Sequence, residues 1–164
     1  MAHARATPWI SAFLALMRIA NIYHSKSSAE TIAYGRSLGR TLKGGTVVAL
    51  VGDLGSGKTT LVKGIALGLG MQNKREIRSP TFVIFHIYKG RIPLYHFDLY
   101  RLDRESDLEA IGIEEFLSEP NVVSVIEWAD RIPSVVKRSD VTIKLLSKGE
   151  HNRMIQITFR GRSK

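Results

Sequence analysis

The run TVVALV (Thr46 to Val51), continuing into GDLGSGKT (Gly52 to Thr59), is the stretch whose reading decides the fold. An unbroken β-branched and apolar run without polar alternation describes a strand buried on both faces, as in the interior of parallel sheets. Behind the loop, KTTLVKGIALGLG carries Leu61, Ile65 and Leu69 at helical spacing and closes on Gly70, a good C-terminal stop. Strand, glycine-rich loop and helix therefore follow in the order that G-x-x-x-x-G-K-[ST], the P-loop pattern, requires.

The physical content of that loop is an anion cradle. Its glycines let the backbone wrap closely, so that successive N–H groups point at phosphate oxygens, and the next helix adds its positive N-terminal end. Gly52, Asp53, Leu54, Gly55, Ser56, Gly57, Lys58, Thr59 and Thr60 are the residues expected to hold a nucleoside triphosphate. Lys58 is expected to reach the β- and γ-phosphates, and Thr59 to place its hydroxyl on magnesium.

Working outward, Ser27 and Glu30 have the capping-box spacing, and Ile32, Leu38 and Leu42 give an apolar face to a helix over Ser28 to Leu42. Gly44 and Gly45 stop it. After the P-loop helix, TFVIFHIY and PLYHFD read as a hairpin, ESDLEAIGIEEFL as an acidic helix, and NVVSVIEW as a buried strand. VTIKLL and MIQITF, joined by a polar turn around Gly149, read as a closing hairpin with basic flanks. The expectation is an α/β chain with the P-loop NTPase fold: a central, mostly parallel sheet flanked by helices, with an antiparallel hairpin portion.

Composition bounds the rest. A chain of 164 residues holds about one domain, and 44% hydrophobic content with a mean hydropathy of -0.04 describes a globular protein. Residues 1–16 are too short for a membrane span and lack a convincing cleavage site, so they are read as an extension, with 17–164 forming the domain. With no cysteine, disulfides and thiolate chemistry are excluded, in keeping with a cytoplasmic location. The net charge of +9 suits nucleic acid, an anionic membrane or an acidic partner. Its distribution is uneven: Lys137 to Lys164 has eight Lys or Arg against two acids, whereas Asp98 to Glu119 has eight acids against two Arg.

Magnesium and an attacking water also need carboxylates from neighbouring strand ends. Asp98 ends PLYHFD, and Glu127 ends VVSVIE, the more apolar run and the better Walker-B strand. Thr81, in SPT (Ser79 to Thr81), sits where nucleotide-sensing segments often lie, although an ordinary turn explains it equally well. Trp128 packs either near the nucleotide or in the core, while His86 and His96 read as structural, without metal-ligand partners.

Taken together, GDLGSGKTT, SPTF, YHFDLYRL and IEW, in this order and at these intervals, resemble the TsaE family over about Ser27 to Asp130. The resemblance implies a bacterial ATPase, using ATP and magnesium, that is needed for N6-threonylcarbamoyladenosine (t6A) in tRNA. It implies an accessory that works with TsaD and TsaB and resets that transferase complex between turnovers, without making the modification itself. By motif, Thr59 and Glu127 would ligate magnesium, Asp98 would support the metal or the water, and Lys58 would act catalytically on phosphate. Thr81 would be a switch residue, and Asp130 would lie near the nucleotide. Ser56 replaces an alanine common in family P-loops, and residues 1–16 fall outside the family pattern.

Two rival enzymes and one non-enzymatic reading remain to be set beside this. A small GTPase lacks its guanine reader here: Asn73-Lys74-Arg75-Glu76 follows the P-loop helix rather than a late strand, and no D-x-x-G element occurs. A small-molecule kinase would need an arginine-rich lid. A nucleotide-gated protein-binding module with negligible turnover is the third alternative, with the basic tail contacting tRNA or an acidic partner.

Overall fold

The computed structural model describes residues 22–160. The extension expected over 1–16 lies outside the described residues, as do residues 17–21 of the expected domain.

A seven-stranded sheet runs in the order β1-β7-β6-β2-β5-β4-β3. Its members are β1 (Ile22–Ser25), β2 (Val47–Val51), β3 (Phe85–Tyr88), β4 (Leu94–Asp98), β5 (Val123–Glu127), β6 (Val141–Ser147) and β7 (Arg153–Phe159). β6, β2, β5 and β4 are mutually parallel, while β3, β7 and β1 join antiparallel at the two sides. This is the mixed α/β sheet expected from the sequence. In β2, Val48 and Leu50 pack with one buried cluster and Val47 and Ala49 with another, so side-chain alternation feeds two cores from one strand.

Helix α1 (Ser28–Thr41) starts as its sequence dictates: Ser27 Oγ accepts from Glu30 N at 3.1 Å, and Glu30 Oε2 accepts from Lys26 N at 2.8 Å. It packs on α2 (Lys58–Gly68) through glycines more than through the expected Ile32. A Cβ on Gly35 would stand 2.6 Å from the Leu61 carbonyl oxygen, and on Gly39, Gly64 or Gly68 closer still to a carbonyl of the facing helix. Backbone therefore lies on backbone, and the α1 contact fixes the position of the P-loop helix.

Two expected elements are shorter than their patterns. The strand expected from Thr81 begins only at Phe85, because Val83 N and Ile84 N both donate to Pro80 O and fold Thr81 to Ile84 into a turn. The acidic helix is broken into α3 (Glu105–Ala110) and α4 (Ile113–Leu117) by Gly112, whose φ of 62° lies in the left-handed region. The last helix is α5 (Pro133–Arg138), opened by Pro133 at its first turn. Arg138 ion-pairs with Glu114 of α4, so the acidic middle and the basic end meet at one point.

Candidate functional site

The parallel strands bring three chain segments to the same end of the sheet. Glu127 is the last residue of β5 and Asp98 the last of β4, and the register pairs them side by side. Leu50 of β2 pairs with Glu127 on the other side, which sets that carboxylate beside the P-loop. Gly57 opens α2 with φ 100°, a conformation side chains resist, and Gly55 has φ 75° with open space where a side chain would stand.

Lys58 is 5% exposed, and its Nζ donates to Gly52 O at 2.6 Å and Asp53 O at 2.9 Å. The ammonium also lies 3.7 Å from the Trp128 ring centroid, a cation–π arrangement. Burial holds its pKa below the ordinary lysine range, against the opposing pull of Glu127, Asp130, Asp98 and Asp53. The partners in contact with it are neutral, so its charge is held in place without being cancelled.

Thr59 Oγ1 lies 2.9 and 3.0 Å from the two oxygens of Glu127, which is 2% exposed. Hydroxyl and carboxylate thus share one point at the P-loop mouth. His96 is fully buried, with Nε2 2.8 Å from Glu127 Oε1. A carboxylate only accepts, so Nε2 carries the hydrogen. The Nδ1 atom finds no partner among the described residues. His96 therefore steadies the site carboxylate, a role its placement in a strand did not reveal; His86 bonds Tyr88 at 3.0 Å and stays structural.

Asp98 points elsewhere. Its Oδ2 accepts from Ser79 Oγ and from Thr81 Oγ1 at 2.6 Å, and its Oδ1 accepts from Tyr100 N at 2.8 Å. It clamps the SPT turn rather than meeting Thr59. The turn is strained, since Ile84 has φ 69°, and Trp128 at φ 58° is likewise left-handed directly after Glu127. Both outliers flank the site, where stored strain is commonly found.

A cavity of about 440 Å³ opens here, of a size suited to a small ligand. Of the residues expected at the site, Leu54, Gly55, Gly57, Lys58, Thr59, Thr60, Thr81 and Glu127 line it. Gly52, Asp53, Ser56, Asp98 and Asp130 do not, although Asp130 is near enough to act on the Lys58 charge. Ser79, Tyr100, Trp128 and Arg153 complete the lining. Trp128 lines the cavity and also packs against one of the two buried clusters, and Tyr100 could have been found from its place in HFDLYR. Arg153 carried no sequence signal, since it stands 98 residues from the loop carbonyl it bonds.

Among the described residues no cluster of three His, Asp or Glu gathers as a metal site. Magnesium takes few protein ligands and completes its shell with phosphates and water. A hydroxyl and one carboxylate below an anion cradle fit it.

A family profile described as "Threonylcarbamoyl adenosine biosynthesis protein TsaE" matches residues 25–155. The chain belongs to the TsaE family. The tRNA threonylcarbamoyladenosine biosynthesis protein TsaE of Treponema pallidum (strain Nichols) is 44% identical over 81% of this chain and 96% of its own length. That of Bacillus subtilis (strain 168) is 39% identical over 80% of this chain and 81% of its own length. The crystal structure of YdiB from the same genus and species superposes with a TM-score of 0.69 at 30% identity, covering 85% of each chain. Membership places the chain in t6A biosynthesis on the P-loop NTPase fold.

Proposed function

We propose that this chain binds ATP with magnesium and hydrolyses it, and that hydrolysis resets a TsaB–TsaD transferase complex between rounds of t6A formation. The observation that carries the reading is the Thr59 hydroxyl shared between both oxygens of Glu127 at the mouth of the P-loop. These two residues would hold magnesium, whose bound charge would offset the charge that develops on the phosphates. Lys58, restrained by neutral carbonyls and by the Trp128 face, presents its ammonium to the phosphoryl oxygens. Asp98 holds Ser79 and Thr81 at the cavity wall, so that a change at Thr81 is passed to the Phe82 and Val83 side chains beyond it.

A second reading, nucleotide-gated partner binding with negligible turnover, is favoured by one observation. Leu54, in the cavity lining, and Phe82, the neighbour of Thr81 in that lining, are 82% and 83% exposed, as a nucleotide-dependent protein contact would require. The location would be cytoplasmic, where tRNA and the partner proteins reside. Among the described residues no helix is long and apolar enough to cross a membrane.

Reconstitution with TsaB, TsaD and tRNA separates the readings. The proposal expects this chain to convert one round of modification into many, with ATP consumed in proportion. Many rounds without hydrolysis would select the gated module, and a single round with or without the chain would reject both.

A further inference from the structure

We propose that His96 is a positioning residue that sets metal selectivity: by holding one oxygen of Glu127 it leaves a single carboxylate oxygen open to a cation, and so favours magnesium over calcium. The inference deepens the Mg-ATP reading above and rests on it.

The argument starts from the acceptor positions of one carboxylate, about four over its two oxygens. Two donors converge on Oε1, with His96 Nε2 at 2.8 Å and Thr59 Oγ1 at 2.9 Å. Oε2 has Thr59 Oγ1 at 3.0 Å and no second partner among the described residues. The Thr59 hydroxyl thus stands between the oxygens, where a cation chelated by both would have to sit, and His96 keeps Oε1 engaged from the other side. Calcium takes roughly six to eight oxygens and often both from one carboxylate, whereas magnesium needs only one or two carboxylates beside phosphates and water. A carboxylate with one open oxygen meets the second demand and not the first.

The position of His96 makes this restriction firm. It lies within β4 and pairs with His86 of β3 and with Val125 of β5, so ladders on both sides fix its backbone. Leu94 and Val125 fill the same layer with apolar side chains, and the Tyr88 ring lies 6.1 Å from the imidazole between centroids. A polar ring buried there is costly unless its N–H is used. Nδ1 has no partner among the described residues, so the Glu127 contact alone offsets that burial. A side chain serving only to fill this layer would be apolar like its neighbours.

The test titrates ATP by calorimetry in excess magnesium and in excess calcium, for the full chain and for His96→Leu, His96→Gln and Tyr88→Phe. The readout is the ratio of the two affinities. The wild-type chain is expected to bind ATP more tightly with magnesium, and His96→Leu to shrink that preference by about tenfold or more, as loss of a hydrogen bond behind a metal ligand commonly does. His96→Gln keeps an N–H donor and should recover the preference. Tyr88→Phe removes a buried hydroxyl beside the ring without touching Glu127, and should keep the wild-type ratio even if it melts earlier. An unchanged ratio in His96→Leu overturns the proposal, as do equal ratios in the Leu and Gln variants. An equal loss in Tyr88→Phe overturns it too, by reducing the effect to a loosened core. If His96→Leu does not fold, the wild type decides by nitrogen-15 NMR of its histidines alongside the same titrations. A magnesium preference with the His96 Nε2–H still hydrogen-bonded in Mg-ATP supports the role, and loss of either refutes it. A wild-type chain that binds ATP with neither cation would instead reject the reading on which this rests.

Discussion

Replacing Glu127 by Gln and by Ala separates the metal role proposed for its carboxylate from what it does for the fold. Gln keeps the volume and can still accept from Thr59 Oγ1 or from His96 Nε2, so stability should change by less than about 1 kcal/mol. It removes the negative charge, and Mg-dependent hydrolysis should fall by about 100-fold or more, as when one electrostatic stabiliser is lost. Ala goes further, because His96 is fully buried and its other nitrogen already lacks a partner among the described residues. Stranding the second nitrogen costs about 1–3 kcal/mol, and a midpoint near 2 kcal/mol corresponds to a melting drop of roughly 4–8 °C for a chain of this size. Calorimetric melting and a magnesium titration of ATPase activity measure the two effects. If Glu127→Gln stays within about threefold of wild type at every magnesium concentration, the metal role is wrong. If the two variants melt together, His96 does not depend on Glu127 for its satisfaction.

Gly39→Ala would gain about 1 kcal/mol of helix propensity but would drive a Cβ into the Ile65 carbonyl of α2, an overpacking cost of about 1–3 kcal/mol against backbone that cannot rotate away. Urea denaturation should show a net loss, and a gain would mean that the helices separate freely. Asp98→Asn should quicken hydrogen exchange across residues 79–84 while leaving magnesium affinity intact; the opposite pattern would return Asp98 to the metal. Tyr34, stacked on Tyr23 at 4.2 Å, has its pKa pushed up to about 12, first by burial and then by Tyr23. The folded state then keeps a proton that the unfolded state releases, so this contribution is complete below about pH 10 and is lost as pH rises towards 12. Phenolate absorbance in the native protein checks it, and ionisation of every tyrosine near pH 10 would contradict it.

What was legible in the sequence is what local pattern encodes. The P-loop, the helices on either side of it and the parallel strand ending in Glu127 all follow from periodicity, caps and one motif, and they position most of the cavity wall. The missed contacts of His96, of the helix glycines and of Arg153 have a common physical cause, since each depends on contact between segments far apart in the chain. The Thr81 to Ile84 turn and the break at Gly112, by contrast, are local. Strand alternation reports that His96 faces inward but not that a carboxylate from β5 lies beside it. A helical wheel reports Leu38 and Leu42 but treats glycines as gaps, whereas Gly35 and Gly39 are where α1 touches α2. Arg153 enters the site through antiparallel pairing at the end of the chain.

The pairing of Asp98 with Glu127 explains how one sheet end supplies two carboxylates with different work. Parallel register sets them abreast, yet Glu127 meets a P-loop hydroxyl and an imidazole, while Asp98 meets two hydroxyls of the SPT turn and a backbone N–H. Thr59 belongs to a helix held fixed by the glycine contact, whereas Thr81 belongs to a turn that carries a left-handed isoleucine. A rigid partner on one side and a strained partner on the other would set the proposed metal site beside a conformational response without shared atoms. Changes at the phosphates would then reach Thr81 across the cavity wall and pass to Phe82 and Val83 on the surface, while the carboxylate assigned to the metal keeps its position.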